Sequence, residues 1–179
     1  MALVSVTTVL KPWSIFDKIE PTVLEAASVR GQEVHSLLGQ YLLDAWSTEI
    51  PPGVMGYYDS GRRWIDRYVA EALAVEEEFT DELHEYKGHP DLLCILKKEE
   101  GESLWDFKTG STEQKSWRPQ VAAYCALAAK ASYEITRSGC LKLRSDGKMA
   151  IMCEYSRTRA YDLAVFLSAL NCWRYFNGD

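Results

Sequence analysis

The sequence has no CxxC pair. Its cysteines, Cys94, Cys125, Cys140, Cys153 and Cys172, are odd in number and scattered, which argues against a disulfide scaffold and against a cysteine-rich metal cluster. No apolar run reaches the length of a membrane span before a charge interrupts it. The opening stretch, MALVSVTTVLKPWS, has neither a basic leader nor a long apolar core. No signal peptide is therefore expected, and a reducing, cytoplasmic setting suits the unpaired thiols. The G-x-x-x-x-G-K-[ST] pattern is missing, so no helicase or ATPase is expected in this chain. Nothing repeats and no linker divides residues 1–179, which predicts a single domain.

Basic charge is in deficit: 20 Lys and Arg against 26 Asp and Glu give a formal net charge of −6. That speaks mildly against extended contact with a phosphate backbone. The charge is unevenly spread, however. Residues 76–102 are strongly acidic, whereas the tail from Arg137 onward has a surplus of Lys and Arg. A net-acidic protein can still present one basic face, so the totals neither demand nor exclude a nucleic-acid ligand.

Periodicity predicts a mixed α/β chain. Residues 12–27 read as a start segment with short helical turns. Ser28 is a candidate cap for a helix whose Val34, Leu37, Leu38, Tyr41, Leu42 and Ala45 recur at helical spacing. The stretch TEIPPGVMGYYDSG reads as a loop, because paired prolines and glycines interrupt it. A second helix is expected over about Gly61–Leu73, then strands near 75–85, 90–97 and 102–108. A helix over Trp117–Ala131 follows. Two strands around a Ser-Asp-Gly turn come next, and a last helix is expected over Arg159–Phe176 with an apolar stripe of Leu163, Phe166, Leu167 and Leu170.

The chemistry concentrates in the predicted central strands. In LWDFKTG, Asp106 and Lys108 share one strand face with Leu104 while Phe107 points the other way. In KGHPDLL, Asp91 opens the preceding strand. If the two strands pair as a hairpin turning near residue 99, Asp91 and Asp106 fall close to opposite each other at its open end. Two carboxylates that near repel unless a cation or proton lies between them. A hard divalent ion takes oxygen ligands of this kind. A lysine two residues beyond such a carboxylate can orient or polarise an attacking water, or offset charge on a pentacoordinate phosphate.

GHPD, then DFK, then a helix bearing QVAAY resemble the PD-(D/E)xK nuclease superfamily. More narrowly they resemble the branch of RecB-type nuclease domains, Cas4-like proteins and phage or mitochondrial exonucleases. RGQEVH, ending at His35, is similar to that branch's G-x-x-V/I-H helix motif. The resemblance spans about residues 30–124. It implies a restriction-endonuclease-like core, a central mixed β-sheet flanked by helices. It implies a metal site of His35, Asp91, Asp106 and the Phe107 backbone carbonyl, holding Mg²⁺ or Mn²⁺. Asp91, Asp106 and Lys108 would be catalytic, with Gln120 and Tyr124 of the Q-x-x-x-Y motif organising the site. The implied activity is a metal-dependent deoxyribonuclease, an exonuclease acting on DNA ends in replication, recombination or phage DNA metabolism. Its products would be a 5′-phosphate and a 3′-hydroxyl. The four-cysteine frame of many Cas4-like members is absent, so no iron-sulfur cluster is expected. A homo-oligomer or a separate recombination or replication partner would fit such an enzyme. The rival reading is a non-catalytic nucleic-acid-binding or assembly subunit that keeps the fold; RNA cleavage is a third.

Other residues divide between solvent and ligand. Lys11, Lys115 and Arg118 are candidates for phosphate contact, the last two bracketing the entry to the Gln120 helix. Trp13, Trp105 and Trp117 could stack on unpaired bases, although Trp105 faces away from Asp106 and fits the core better. Glu76, Glu77 and Glu78 read as a solvated strand edge, Glu33 as a surface or supporting residue, and His89 as turned outward by Pro90.

Overall fold

The computed structural model describes residues 3–14, 20–45 and 49–178. In chain order the elements are β1 (Val4–Ser5), α1 (Val6–Leu10), a 3-10 turn (Lys11–Trp13), α2 (Pro21–Leu42) and α3 (Pro52–Tyr68). Then come β2 (Val69–Val75), β3 (Phe79–Asp81), β4 (Tyr86–Gly88), β5 (Leu92–Leu96) and β6 (Glu102–Lys108). The chain closes with α4 (Trp117–Lys130), β7 (Ile135–Lys142), β8 (Ile151–Glu154), a second 3-10 turn and α5 (Arg159–Asn177). Strands β2-β5-β6-β7-β8 form the central sheet, and β1-β4-β3 a small second one. Within the central sheet β6 and β7 are parallel and every other neighbouring pair is antiparallel. Parallel neighbours need a crossover, and α4 supplies it.

The sheet is buried on both faces. Leu93, Leu104 and Cys140 pack with residues of α1, α4 and α5. Leu92, Cys94, Leu96, Trp105, Phe107 and Leu141 pack with Val34, Leu37 and Leu38 of α2 and Trp64 and Ile65 of α3. Two-sided burial explains why β5 reads as an unbroken LLCIL. The fold is thus a mixed α/β arrangement with a central mixed sheet flanked by helices, as expected.

Several boundaries differ from the sequence reading. Helix α2 starts at Pro21 rather than at a Ser28 cap, because proline suits a first helical turn. It ends before Ala45, where Asp44 turns to φ 51°. The predicted loop is largely helix: α3 begins at Pro52 and stops at Tyr68, short of Leu73. Two of its glycines serve close packing. A methyl group at Gly61 would lie 2.5 Å from Leu38 Cδ1, and one at Gly56 1.9 Å from the Ser145 carbonyl. Instead of one strand near 75–85 there are β2, starting at Val69, and the short β3 and β4. In the start segment, residues 15–19 lie outside the described residues. No helix among the described residues is long and apolar enough to cross a membrane.

Candidate active site

The site lies where β6 ends and β5 begins. The β5–β6 register pairs Leu92 with Trp105, so Asp91 and Asp106 come next in line, opposite each other. Past the start of β5, the Phe107 N–H donates to an Asp91 carboxylate oxygen, which fixes that side chain across the strand end. Both carboxylates are buried, at 4% and 2% exposure.

Helix α2 contributes His35. Burial of Val34, Leu37 and Leu38 seats the helix on the sheet. His35 then stands edge-on to the Phe107 ring, with centroids 5.9 Å apart. Its Nδ1 is 2.9 Å from Asp91 Oδ1. Burial alone would lower the His35 pKa. The charge and hydrogen bond of Asp91, with the charge of Asp106, outweigh it and raise the pKa to about 9.

Glu76, placed by sequence on a solvated edge, joins this group. Val75 pairs with Leu92, and the Glu76 N–H donates to the Asp91 carbonyl at 3.2 Å. The chain turns there with φ 52°. Ligand atoms of His35, Glu76 and Asp91 all lie within 4.8 Å of one another. Glu76 is exposed as a residue, yet its carboxyl faces the cluster. Loss of water there, then repulsion from Asp91, pushes its pKa up to about 7. The expectation of a purely solvated Glu76 is therefore corrected; its position follows from the β2–β5 pairing. One imidazole and two carboxylates suit a divalent cation.

On the α4 side, Asp106 and Lys108 are locked into a network. Lys108 Nζ lies 2.6 Å from Asp106 Oδ2 and donates to Gln120 Oε1 at 2.9 Å. Gln120 Nε2 donates to Asp106 Oδ1 and to the Tyr124 hydroxyl, each at 3.2 Å. The Gln120 amide thus accepts from the cation and donates to the anion, and Tyr124 takes its second proton. Burial pushes the Asp106 carboxyl up, with Lys108 pulling it down and Asp91 adding to the rise. Burial opposes the Lys108 charge, but Asp106 and its neighbours hold that pKa above the usual lysine value. Burial likewise raises the Tyr124 phenol, which stays neutral. The Cys140 thiol donates to Asp106 Oδ2 at 3.9 Å.

Gly88 of the GHPD stretch has a steric role. A methyl group there would lie 2.5 Å from Tyr124 Cε1, so the ring's position depends on glycine. Trp117 is buried, and its ring sits 5.9 Å from Lys108 Nζ, which makes it a wall of the site rather than a stacking platform. Trp105 is core and Trp13 is exposed.

The remaining candidates divide. Lys115 is exposed on the loop into α4, and Lys11 is exposed on the turn after α1. Arg118 is engaged elsewhere: its Nε donates to Asp162 Oδ2 at 3.3 Å, satisfying a buried carboxylate of α5. His89 is 3.1 Å from Glu78, turned outward as expected. Sequence reasoning missed Lys142. It stands beside Lys108 in the parallel β6–β7 register and forms no ion pair among the described residues. The Lys and Arg surplus after Arg137 was its only sequence signal.

No family model matches the sequence, and no curated protein matches it. Among solved structures the chain is similar to LHK-Exo, in a crystal structure of its complex with dAMP. The identity is 12%, the TM-score 0.47, and the match covers 95% of this chain and 86% of that one. At that distance the functional reading has to stand on the geometry of the site.

Proposed function

We propose that the chain is a divalent-metal-dependent deoxyribonuclease, an exonuclease that hydrolyses phosphodiesters at DNA ends. The observation that carries this reading is the Lys108 ammonium, 2.6 Å from Asp106, beside a three-residue donor group of His35, Glu76 and Asp91. A structural ion pair would not call for a second, separately gathered set of acid and imidazole donors beside it.

His35, Glu76 and Asp91 would hold Mg²⁺ or Mn²⁺, with Asp106 and the Phe107 carbonyl as further ligands. Such an ion, when bound, lowers the pKa of water and neutralises phosphate oxygens. Lys108 is protonated, so it acts as a fixed positive charge toward the developing phosphorane rather than as a general base. Gln120 keeps Lys108 and Asp106 aligned, and Tyr124 keeps Gln120 aligned. Lys142 and Lys115 would meet the neighbouring phosphates. The net charge of −6 suits short contact at an end better than a long duplex track.

The test incubates the protein with end-labelled linear DNA and closed circular DNA, single- and double-stranded, in Mg²⁺, Mn²⁺ or EDTA. Degradation of linear DNA alone, lost in EDTA and in Asp106→Asn and Lys108→Met, is expected. Cutting of circles would make it an endonuclease. Metal binding with no cleavage in any arm would favour the non-catalytic subunit.

A further inference from the structure

The two faces of α5 differ in kind. Its inner face is ordinary core: Phe166, Ala169 and Leu170 pack with buried residues of α1 and α4, and Leu163, Leu167 and Trp173 lie beside them. Its outer face is aromatic and bare. At about 100° per residue, Tyr161, Val165, Ser168, Cys172, Tyr175 and Phe176 fall within about 60° of one line down the helix. Tyr161, Tyr175 and Phe176 are 70%, 83% and 79% exposed, and Val165 is exposed between them. We infer that this face binds its counterpart on a second copy of the chain, α5 running antiparallel to α5, to make a two-fold dimer. The inference is independent of the nuclease reading.

Charge is the first argument. The outer face of a surface helix ordinarily carries charged side chains. Here Arg159, Asp162 and Arg174 are the only charged residues of α5, and each is bound inward. Arg159 Nη1 donates to the Ile135 carbonyl at 2.6 Å. Asp162 accepts from Arg118 Nε and from the Thr158 hydroxyl, and Arg174 donates to the His84 carbonyl. The stripe from Tyr161 to Phe176 is left without charge. Two copies of net charge −6 repel each other, and a charge-free face is where they can meet without adding to that repulsion. The same lack of cations gives a nucleic acid or an anionic lipid surface nothing to hold.

Symmetry and area agree. A two-fold interface must be complementary to itself. With the axis at Ser168, antiparallel helices place Tyr161 against the partner's Tyr175 and Val165 near the partner's Cys172, so aromatic meets aromatic at both ends. The residue on the axis is small, which permits close approach of the helices. Its hydroxyl donates to the Ala164 carbonyl at 2.9 Å, so covering it leaves no unpaired donor. At these exposures three aromatic side chains offer on the order of 500 Å² per copy. The pair would bury about 1,000 Å², enough for a reversible dimer at the low end of specific interfaces.

The test is sedimentation equilibrium of the full chain from about 1 to about 200 μM, where an interface of this size should show monomer passing to dimer. Val165→Arg and Ser168→Arg, both on exposed positions, should each leave a monomer throughout that range with an unchanged thermal melt at the dilute end. Register is read by cross-linking in a Cys172→Ser background with diamide as oxidant. Ser168→Cys lies on the axis and should link to its own copy. Val165→Cys should not, because three residues from the axis the two sulfurs are offset by about 9 Å along the helices. A monomer at every concentration, a trimer or larger assembly, or a dimer that survives both arginine substitutions would overturn the inference. Linking through Val165→Cys and not through Ser168→Cys would overturn it too.

Discussion

Raising the pH from 7 to 9 is expected to tighten divalent-metal binding about a hundredfold, because in the metal-free protein His35 keeps its proton to about pH 9. A histidine must release that proton before it can coordinate. Each unit below pH 9 leaves about tenfold less of the free ring, so the two units from 9 to 7 correspond to about 2.7 kcal/mol. Glu76, raised to about 7, adds a second proton below neutrality, and the slope of log Kd against pH steepens from about one toward two. The metal-free fold depends on pH in the opposite sense. The raised His35 value means that its pairing with Asp91 stabilises fully below its ordinary 6.5 and loses that effect as the pH rises through about 9. The raised Glu76 value makes its ionisation costly between its ordinary 4.5 and about 7, in the same direction. The Tm in EDTA should therefore fall from pH 5 to 9 while the stabilisation conferred by Mg²⁺ grows. Calorimetric titration with Mn²⁺ in two buffers of unlike ionisation enthalpy counts the protons released. About one proton per ion is expected near pH 8, and His35→Ala should abolish it. A flat affinity with no proton released would refute the placement of the ion on His35.

Gln120→Ala frees both Lys108 and Asp106, and kcat should drop about 10- to 100-fold, the worth of one hydrogen bond to a charged group. Tyr124→Phe removes only the acceptor for one Gln120 proton and should cost less in the same steady-state assay. Asp106→Asn leaves the Lys108 charge uncompensated, its side chain only 18% exposed. Urea melts should show a loss of about 3–5 kcal/mol, largely restored when Lys108→Met is added; no recovery would mean that the pair is not what matters. Gly88→Ala forces a methyl group into the Tyr124 ring, and a loss of about 1–3 kcal/mol is expected on thermal melting. Lys142→Ala should flatten the salt dependence of single-strand binding by about 0.7 in the log–log slope, and an unchanged slope would remove it from the phosphate path.

Much of the site was legible because its spacing is short and local. Alternation along β6 places Leu104, Asp106 and Lys108 together, a hairpin turn brings Asp91 opposite Asp106, and one helical turn separates Gln120 from Tyr124. Glu76 was not legible, since its place depends on β2 pairing with the far edge of β5, and the sequence reading put that strand at 75–85. Prolines and glycines misled at α3 for a related reason. As local propensities they break helices, but Pro52 sits at the helix start, and Gly56 and Gly61 answer to neighbours distant in sequence, Ser145 and Leu38.

The amino-acid sequence by itself determined the mixed α/β class, the central strands, and the residue types and spacing of the carboxylate–lysine pair. Those depend on periodicities of two and 3.6, which a chain carries without reference to anything far away. Only the tertiary structure decided that Glu76 joins His35 and Asp91, that Trp117 walls in Lys108 while Arg118 turns to Asp162, and that a groove opens along α2. Each of these joins segments distant along the chain, and such contacts are set by how helices seat on the two faces of the sheet.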